Sequence, residues 1–379
     1  MTWVRVLRVL LVVLGVGTLG GLLLPLLVAG ETPVAPGAAD SAPLALGAMT
    51  TPSTGPAENR AVQLLRRAAS AGRSRAYSGT QYVSSWSRTG TSSVVVDLQH
   101  VPDQGMVVHI DGGPSAPPAV GQRHAPAVID DPTPAGLDRR PFAALERHYV
   151  LRVAGTGHCA GRVADIVEAR RVSGGQLTAR FWVDRATGLL LRRELYDASG
   201  RTVRAAAFVD LRLSVGGVPR RALAQDRTGP SRGELGVRAL RRLRHAGWTV
   251  PQTLPGGLEL YDARMRRDST GTGGRERVLH LSYSDGLFTV SVFAQRGRLD
   301  TARFSGWSTL DIGGTTVYTK PGLSEQAVWS GRNRVYTAVA DAPDATVART
   351  VETFPHEVAS DHFFARVDRG FAKMAAWFN

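Results

Sequence analysis

Gly157-His158-Cys159-Ala160-Gly161 sets the chain's single cysteine at the Gly-x-Cys-x-Gly spacing of a nucleophile elbow. A thiol acting there needs a base to take its proton and N–H donors for an oxyanion. No strand-turn-helix pattern surrounds it, so acyl transfer is the weaker reading. His100 with His109 and Asp111, and His356 with Asp361 and His362, are metal-ligand types, but neither set has a recognised ligand spacing. Gly271 to Gly274 lacks the Lys-Ser/Thr of a phosphate-cradling loop. The expectation is therefore a protein with no catalytic residue, no metal and no cofactor, which works by binding. Arg238, Arg241, Arg242 and Arg244 form a basic face on an expected helix over Glu234–His245. That face is either solvated or a contact for acidic phospholipid or an acidic peptide.

The elements that position these residues follow from composition and periodicity. The 379 residues allow two domains, and 43% hydrophobic with 21% charged residues fits a folded chain. The net charge of +14 is carried almost wholly by arginine, since Lys320 and Lys373 are the lysines. Such a bias is what a GC-rich genome of actinobacterial type produces, and it also leaves room for an acidic partner. Nucleic acid is disfavoured, because no reading helix or aromatic platform stands out. Val9 to Gly30 holds no charged residue and follows Arg5 and Arg8. As a helix it is ~33 Å long, against a hydrocarbon core of ~30 Å. Residues 1–30 read as a single-pass anchor with the rest of the chain outside the cell. A cleaved signal followed by secretion is the alternative. Residues 31–56 are a Pro/Ala/Gly/Thr tether.

From Glu58 a helix presents Ala61, Leu64, Leu65 and Ala68 on one face, with Gly72 as its stop. Strands are expected over 77–83, 92–98, 107–110, 149–153 and 162–171, with a long loop over 114–141. A meander follows to Leu213. Its turns, Asp184-Arg185-Ala186-Thr187-Gly188 and Asp197-Ala198-Ser199-Gly200, use Gly188 and Gly200 for positive φ. Residues 57–215 and 233–353 read as two β-rich domains joined by a linker over 216–232. In the second, the expected helix turns Val237, Leu240 and Leu243 inward, and strands are expected over 278–283, 286–294, 315–318, 327–330 and 334–339. Phe364, Val367, Phe371, Met374 and Phe378 give residues 354–379 an amphipathic helical period, either packed on its own domain or docking on a partner or membrane.

Five places carry a resemblance. They are Tyr77-Ser78-Gly79-Thr80; Val96 to His100 with Ile110-Asp111-Gly112; Cys159-Ala160-Gly161-Arg162-Val163; Phe181-Trp182-Val183-Asp184 with Thr187-Gly188-Leu189; and Tyr283-Ser284-Asp285-Gly286-Leu287 with Ser291-Val292-Phe293. In order and spacing the chain resembles the MucB/RseB family of envelope regulators. The resemblance implies an α+β fold: an N-terminal LolA-like antiparallel half-barrel sheet with helices, plus a smaller α+β C-terminal domain. It also implies envelope stress signalling. Such proteins bind the extracytoplasmic domain of a membrane anti-sigma factor, protect it from proteolysis, and let go when a lipid or lipoprotein binds through its acyl chains. A LolA-like carrier without signalling is the alternative. Tyr82, Trp86, Val94, Val96, Phe181, Val183, Leu189 and Leu191 are candidates for lipid contact, although their alternation fits core packing equally. Phe288, Val290 and Val292, expected on one face, with Arg238 and Arg241, are candidates for partner contact.

Overall fold

The structure, a computed structural model, describes residues 56–87, 90–102, 105–110, 127–129, 139–213, 235–267 and 277–356. The apolar stretch Val9–Gly30, the tether, both interdomain linker limits and the C-terminal amphipathic run lie outside the described residues. Among the described residues no helix is long and apolar enough to cross a membrane.

Helix α1 (Pro56–Ser74) leads into β1 (Tyr77–Ser87), β2 (Gly90–Val101), β3 (Gly105–Ile110) and β4 (Ala127–Ile129). Helix α2 (Arg139–His148) then precedes β5 (Tyr149–Cys159), β6 (Arg162–Arg171), β7 (Leu177–Asp184), β8 (Leu190–Tyr196) and β9 (Thr202–Arg212). These nine strands form one sheet in the order β4-β3-β2-β1-β9-β8-β7-β6-β5. Every pairing is antiparallel. The second domain contains α3 (Val237–His245), β10 (Thr253–Leu254), β11 (Leu258–Arg267), β12 (Arg277–Ser284), β13 (Thr289–Arg296), β14 (Ser308–Ile312), β15 (Thr315–Lys320), β16 (Glu325–Gly331), β17 (Arg334–Asp341) and α4 (Asp344–Thr353). Its eight-stranded sheet runs β10-β11-β12-β13-β17-β16-β15-β14. Among the described residues the fold is α+β: a nine-stranded antiparallel sheet with two helices, then a smaller domain built on an eight-stranded antiparallel sheet with two helices.

Ala61, Leu65, Ala68 and Ala69, three and four residues apart, give α1 a buried stripe that packs on Val167, Phe181, Val183 and Leu195. The helix continues through Gly72 to Ser74, two residues beyond the expected stop. Arg67 crosses to the carbonyls of Arg185 and Ala186 and ties α1 to the β7–β8 turn. The two meander turns form as expected, with φ of 79° at Gly188 and 78° at Gly200. In the second domain, Val290 and Val292 meet Leu281, Trp329 and Tyr336 in a separate core. Three expectations are corrected. Val237 points outward and is 73% exposed, so Leu240 and Leu243 alone of the three pack on the core. The segment 114–141 is not all loop, since β4 lies inside it and α2 begins at Arg139. Phe288 parts from Val290 and Val292 and enters the core of the first domain.

Candidate functional site

Antiparallel register puts directly opposed residues on one face of a sheet. Tyr82 lies opposite Val95 and Ala207, and Ser84 opposite Ala205. Ala207 and Ala205 in turn face Arg192 and Glu194. All of these share the face turned away from α1. The two alanines leave a trough between the Tyr82 and Trp86 side and the Arg192 and Glu194 side. The Asp197–Thr202 turn and Pro343, Asp344 and Ala345 of the second domain complete a groove of about 1030 Å³. Trp86 and Val95 beside it are 38% and 40% exposed. The polar wall is fixed by neighbours. Glu194 accepts from Arg192 and from the Tyr196 hydroxyl, and the Arg192 guanidinium stands 4.6 Å over the Trp182 ring. Glu168 takes Arg170 at 2.9 Å and Arg180 at 2.8 Å. Burial opposes its charge, but these two guanidiniums outweigh that and hold its carboxyl below the usual range.

Below the groove the two domains meet. The tip of the β12–β13 hairpin inserts Leu287 and Phe288 into the first core. Asp285 accepts from the Tyr149 hydroxyl at 2.5 Å, from Arg171 at 3.1 Å, and from the backbone N–H groups of Leu287 and Phe288 at 2.9 and 2.8 Å. Burial first, and then the Asp285 charge, push the Tyr149 phenol far up, so it stays a donor. Gly286 has φ 98°, and a Cβ there would lie 2.3 Å from the backbone nitrogen of Leu145. Only glycine allows so close an approach. Arg193 donates to the Leu287 carbonyl. Arg204 pairs with Asp341 at 2.7 Å and donates to the Leu323 carbonyl. Burial pushes the Asp341 carboxyl up despite Arg204 and Arg193, and pushes both guanidiniums down. A recess of about 30 Å³ beside Arg204 and Asp341 shares Trp86, Ser87, Val203 and Asp344 with the groove.

The MucB/RseB N-terminal domain model matches residues 60–228, and the MucB/RseB C-terminal domain model matches residues 242–354. The chain belongs to the MucB/RseB family. Among solved structures, it is similar to MucB in complex with MucA(peri), at 22% identity over 78% of this chain and 99% of that one, with a TM-score of 0.45. The Pseudomonas aeruginosa MucA/MucB complex matches at 21% identity over 79% and 99%, with a TM-score of 0.40. A LolA superfamily protein from Nitrosomonas europaea matches at 11% identity over 44% and 98%, with a TM-score of 0.20. A search of curated protein sequences returned no significant match.

Within this MucB/RseB framework the sequence candidates separate. Tyr82 and Trp86 line the groove. Val94 lies opposite Val83, and Val96 opposite Gln81, so both face the other way and are buried with Leu98 and Val108. Phe181 and Val183 are buried beneath α1, and Leu189 and Leu191 are buried near Trp182 and Phe208. Val290 and Val292 are fully buried in the second core, while Arg238 and Arg241 stand exposed on α3. Alternation marks two faces of a strand without saying which one a helix will cover. Ala205, Ala207, Arg192, Glu194 and Asp344 of the groove were missed. The run Ala205-Ala206-Ala207 inside a strand was the available signal, since small residues there mark a depression.

The family turn at Cys159-Ala160-Gly161-Arg162 is a tight hairpin, with φ of 50° at Ala160 and 69° at Gly161. The thiol has one proton to give and two acceptors in reach, the carbonyls of Leu191 and Phe208 at 3.5 and 3.6 Å, and burial pushes its pKa up. A strand-turn-strand is no nucleophile elbow, which requires a strand-turn-helix. His100 is buried, with Nδ1 2.7 Å from the Arg75 carbonyl, and its ring lies against Tyr77. His356 contacts the Phe354 carbonyl. Asp111, Asp361 and His362 lie outside the described residues.

Proposed function

We propose that this chain is an extracytoplasmic regulator that binds a membrane anti-sigma factor and senses a lipid or lipoprotein acyl chain. The observation that carries the reading is a groove whose floor belongs to one MucB/RseB domain and whose end wall belongs to the other. A ligand lying along Tyr82, Trp86, Ala205 and Ala207 touches Pro343 to Ala345 as well. Its occupancy then bears on how the domains are held. About ten buried methylenes at ~0.8 kcal/mol each supply roughly 8 kcal/mol before ordering terms, which is micromolar binding. The relatives solved with MucA support the partner class. We place Val9–Gly30 in the membrane as a single-pass anchor, with the domains outside the cell. A LolA-like carrier is the second reading, and the second domain weighs against it because a carrier requires the half-barrel alone. Of the candidates for partner contact, Arg238 and Arg241 are the ones a second molecule can reach.

The test is affinity purification of the full chain from membranes, with bound proteins and lipids identified by mass spectrometry. The regulator reading expects a single-pass anti-sigma factor in wild type, and co-purified lipid that Ala207→Trp excludes by filling the trough. Lipid recovered without any membrane-protein partner favours the carrier.

A further inference from the structure

Two connected parts of the second domain are rich in arginine: α3, and the end of the sheet away from the junction. At about 100° per residue, Arg238, Arg241, Arg242 and His245 fall on one arc of α3, opposite Leu240 and Leu243, which face the core. The helix carries no acidic residue and buries none of its side chains. Its C-terminal end leads to Trp248, whose N–H donates to the Leu243 carbonyl at 3.0 Å. The guanidinium of Arg334 lies 4.6 Å over the Trp248 ring. Arg334 in turn faces Arg296 directly across the β13–β17 ladder. Arg298 follows in the loop, Arg332 precedes Arg334 in the β16–β17 turn, and Arg277 opens β12 beside the end of β13. Register thus brings Arg277, Arg296 and Arg334 to one end of the sheet, and the Arg334 contact with Trp248 joins that end to the segment after α3. Strand β13 separates this end from Asp341 by about 23 Å.

Composition says that arginine is common in this chain but not how it is arranged. Elsewhere many arginines meet carboxylates, among them Arg162 with Asp184, Arg185 with Asp165, Arg201 with Asp197 and Arg264 with Asp262. None of the arginines of α3 and the sheet end pairs with a carboxylate among the described residues. Two like charges placed directly opposite on a ladder destabilise a sheet. A surface that keeps such a pair, with Arg238, Arg241 and Arg242 of α3 meeting no carboxylate among the described residues, fits an anion supplied from outside. Guanidinium forks match phosphate oxygens in a bidentate way. The array spans a helix of about 13 Å and several strands about 4.8 Å apart, so it addresses many phosphates at once rather than one small anion. Val237, 73% exposed at the helix start, adds an apolar contact of the kind that settles at the headgroup and acyl boundary.

We propose that this arginine end of the second domain rests on anionic phospholipid headgroups, so that the domain lies against the membrane. The proposal is independent of what fills the groove. It is tested with the full chain in lipid nanodiscs. A fluorophore is attached at Val237→Cys in a Cys159→Ser background, and energy transfer is read to an acceptor on the lipid headgroups. Transfer should be strong in discs containing phosphatidylglycerol, weak in phosphatidylcholine alone, and lost at high salt. The Arg238→Gln/Arg241→Gln/Arg242→Gln variant should weaken the contact by about fivefold per arginine removed. Arg296→Gln/Arg298→Gln should weaken it independently, and the corresponding lysine variants should keep it. Equal transfer in both disc types, or no response to either glutamine variant, would overturn the proposal. Binding of poly-glutamate at the labelled helix with no transfer to phosphatidylglycerol discs would overturn it too, identifying an acidic polypeptide as the partner.

Discussion

The two ends of the second domain use arginine in opposite ways. At the junction, Arg193 and Arg204 are almost wholly buried, and Arg204 is held by Asp341 and a backbone carbonyl. On α3 and at the far end of the sheet, Arg238, Arg296 and Arg298 are exposed and unpaired with described carboxylates. Position on the strands separates the two cases. Asp341 closes β17 where Arg334 opens it, so one strand carries a buried ion pair at one end and a like-charge pair at the other. A buried charge requires a partner inside the protein because water is gone. An exposed one can wait for a partner that arrives. The first use fixes a structure and the second advertises a surface.

The largest expected effect breaks the buried end. Arg204→Ala leaves the Asp341 carboxylate enclosed without its counter-charge and lowers stability by about 3–5 kcal/mol, read from urea unfolding. Arg204→Met with Asp341→Leu should recover most of that loss, because the desolvation penalty of both charges vanishes together. Gly286→Ala comes next. Its Cβ meets the Leu145 backbone at 2.3 Å in a left-handed conformation, at roughly 2–4 kcal/mol. Calorimetry should then show the single transition split as the hairpin tip leaves the first domain.

Acid gives a third, smaller effect. Burial of Asp184 works against its charge, but the hydrogen bonds from Arg162, at 2.9 Å, and from Thr187 outweigh it and hold the pKa below the usual value of 3.8. A carboxyl depressed in the folded state adds stability above its unfolded pKa of about 4 and loses it as pH falls through the folded value. Unfolding free energy should decline below about pH 4, and Asp184→Asn should flatten that limb of the curve.

How far these features can be read from sequence depends on the range of the forces that set them. The Gly188 and Gly200 turns, and the meander between them, were legible because positive φ and alternation are local. Strand β14 was not. Ser308-Thr309-Leu310-Asp311-Ile312 is a largely exposed edge strand with little apolar signal. The motif Tyr283 to Leu287 was recognisable as a pattern, but its work at the junction depends on Tyr149, 136 residues away from Asp285. The groove was half legible. Tyr82 and Trp86 declared themselves as large apolar residues, while Ala205 and Ala207 matter by what they leave empty. The arginine end was legible on α3 alone, because Arg296 and Arg334 become neighbours only once β13 and β17 are in register.

The smallest effect is the sharpest test of the contrast, because its sign differs between regions. Arg201 lies on the first domain, paired with Asp197 at 2.9 Å and 74% exposed. Arg201→Gln should lower stability by no more than about 0.5 kcal/mol, as expected for a surface pair. Arg296→Gln removes one of two like charges facing each other across β13 and β17, and should raise stability by a few tenths of a kcal/mol. Both changes are read from paired urea titrations at low and high salt. Screening should shrink each toward zero, because both are Coulombic and both sites face solvent. A loss of stability in Arg296→Gln that salt leaves untouched would mean that Arg296 packs rather than repels. The far end would then be a structural surface, no longer the charged counterpart of the junction.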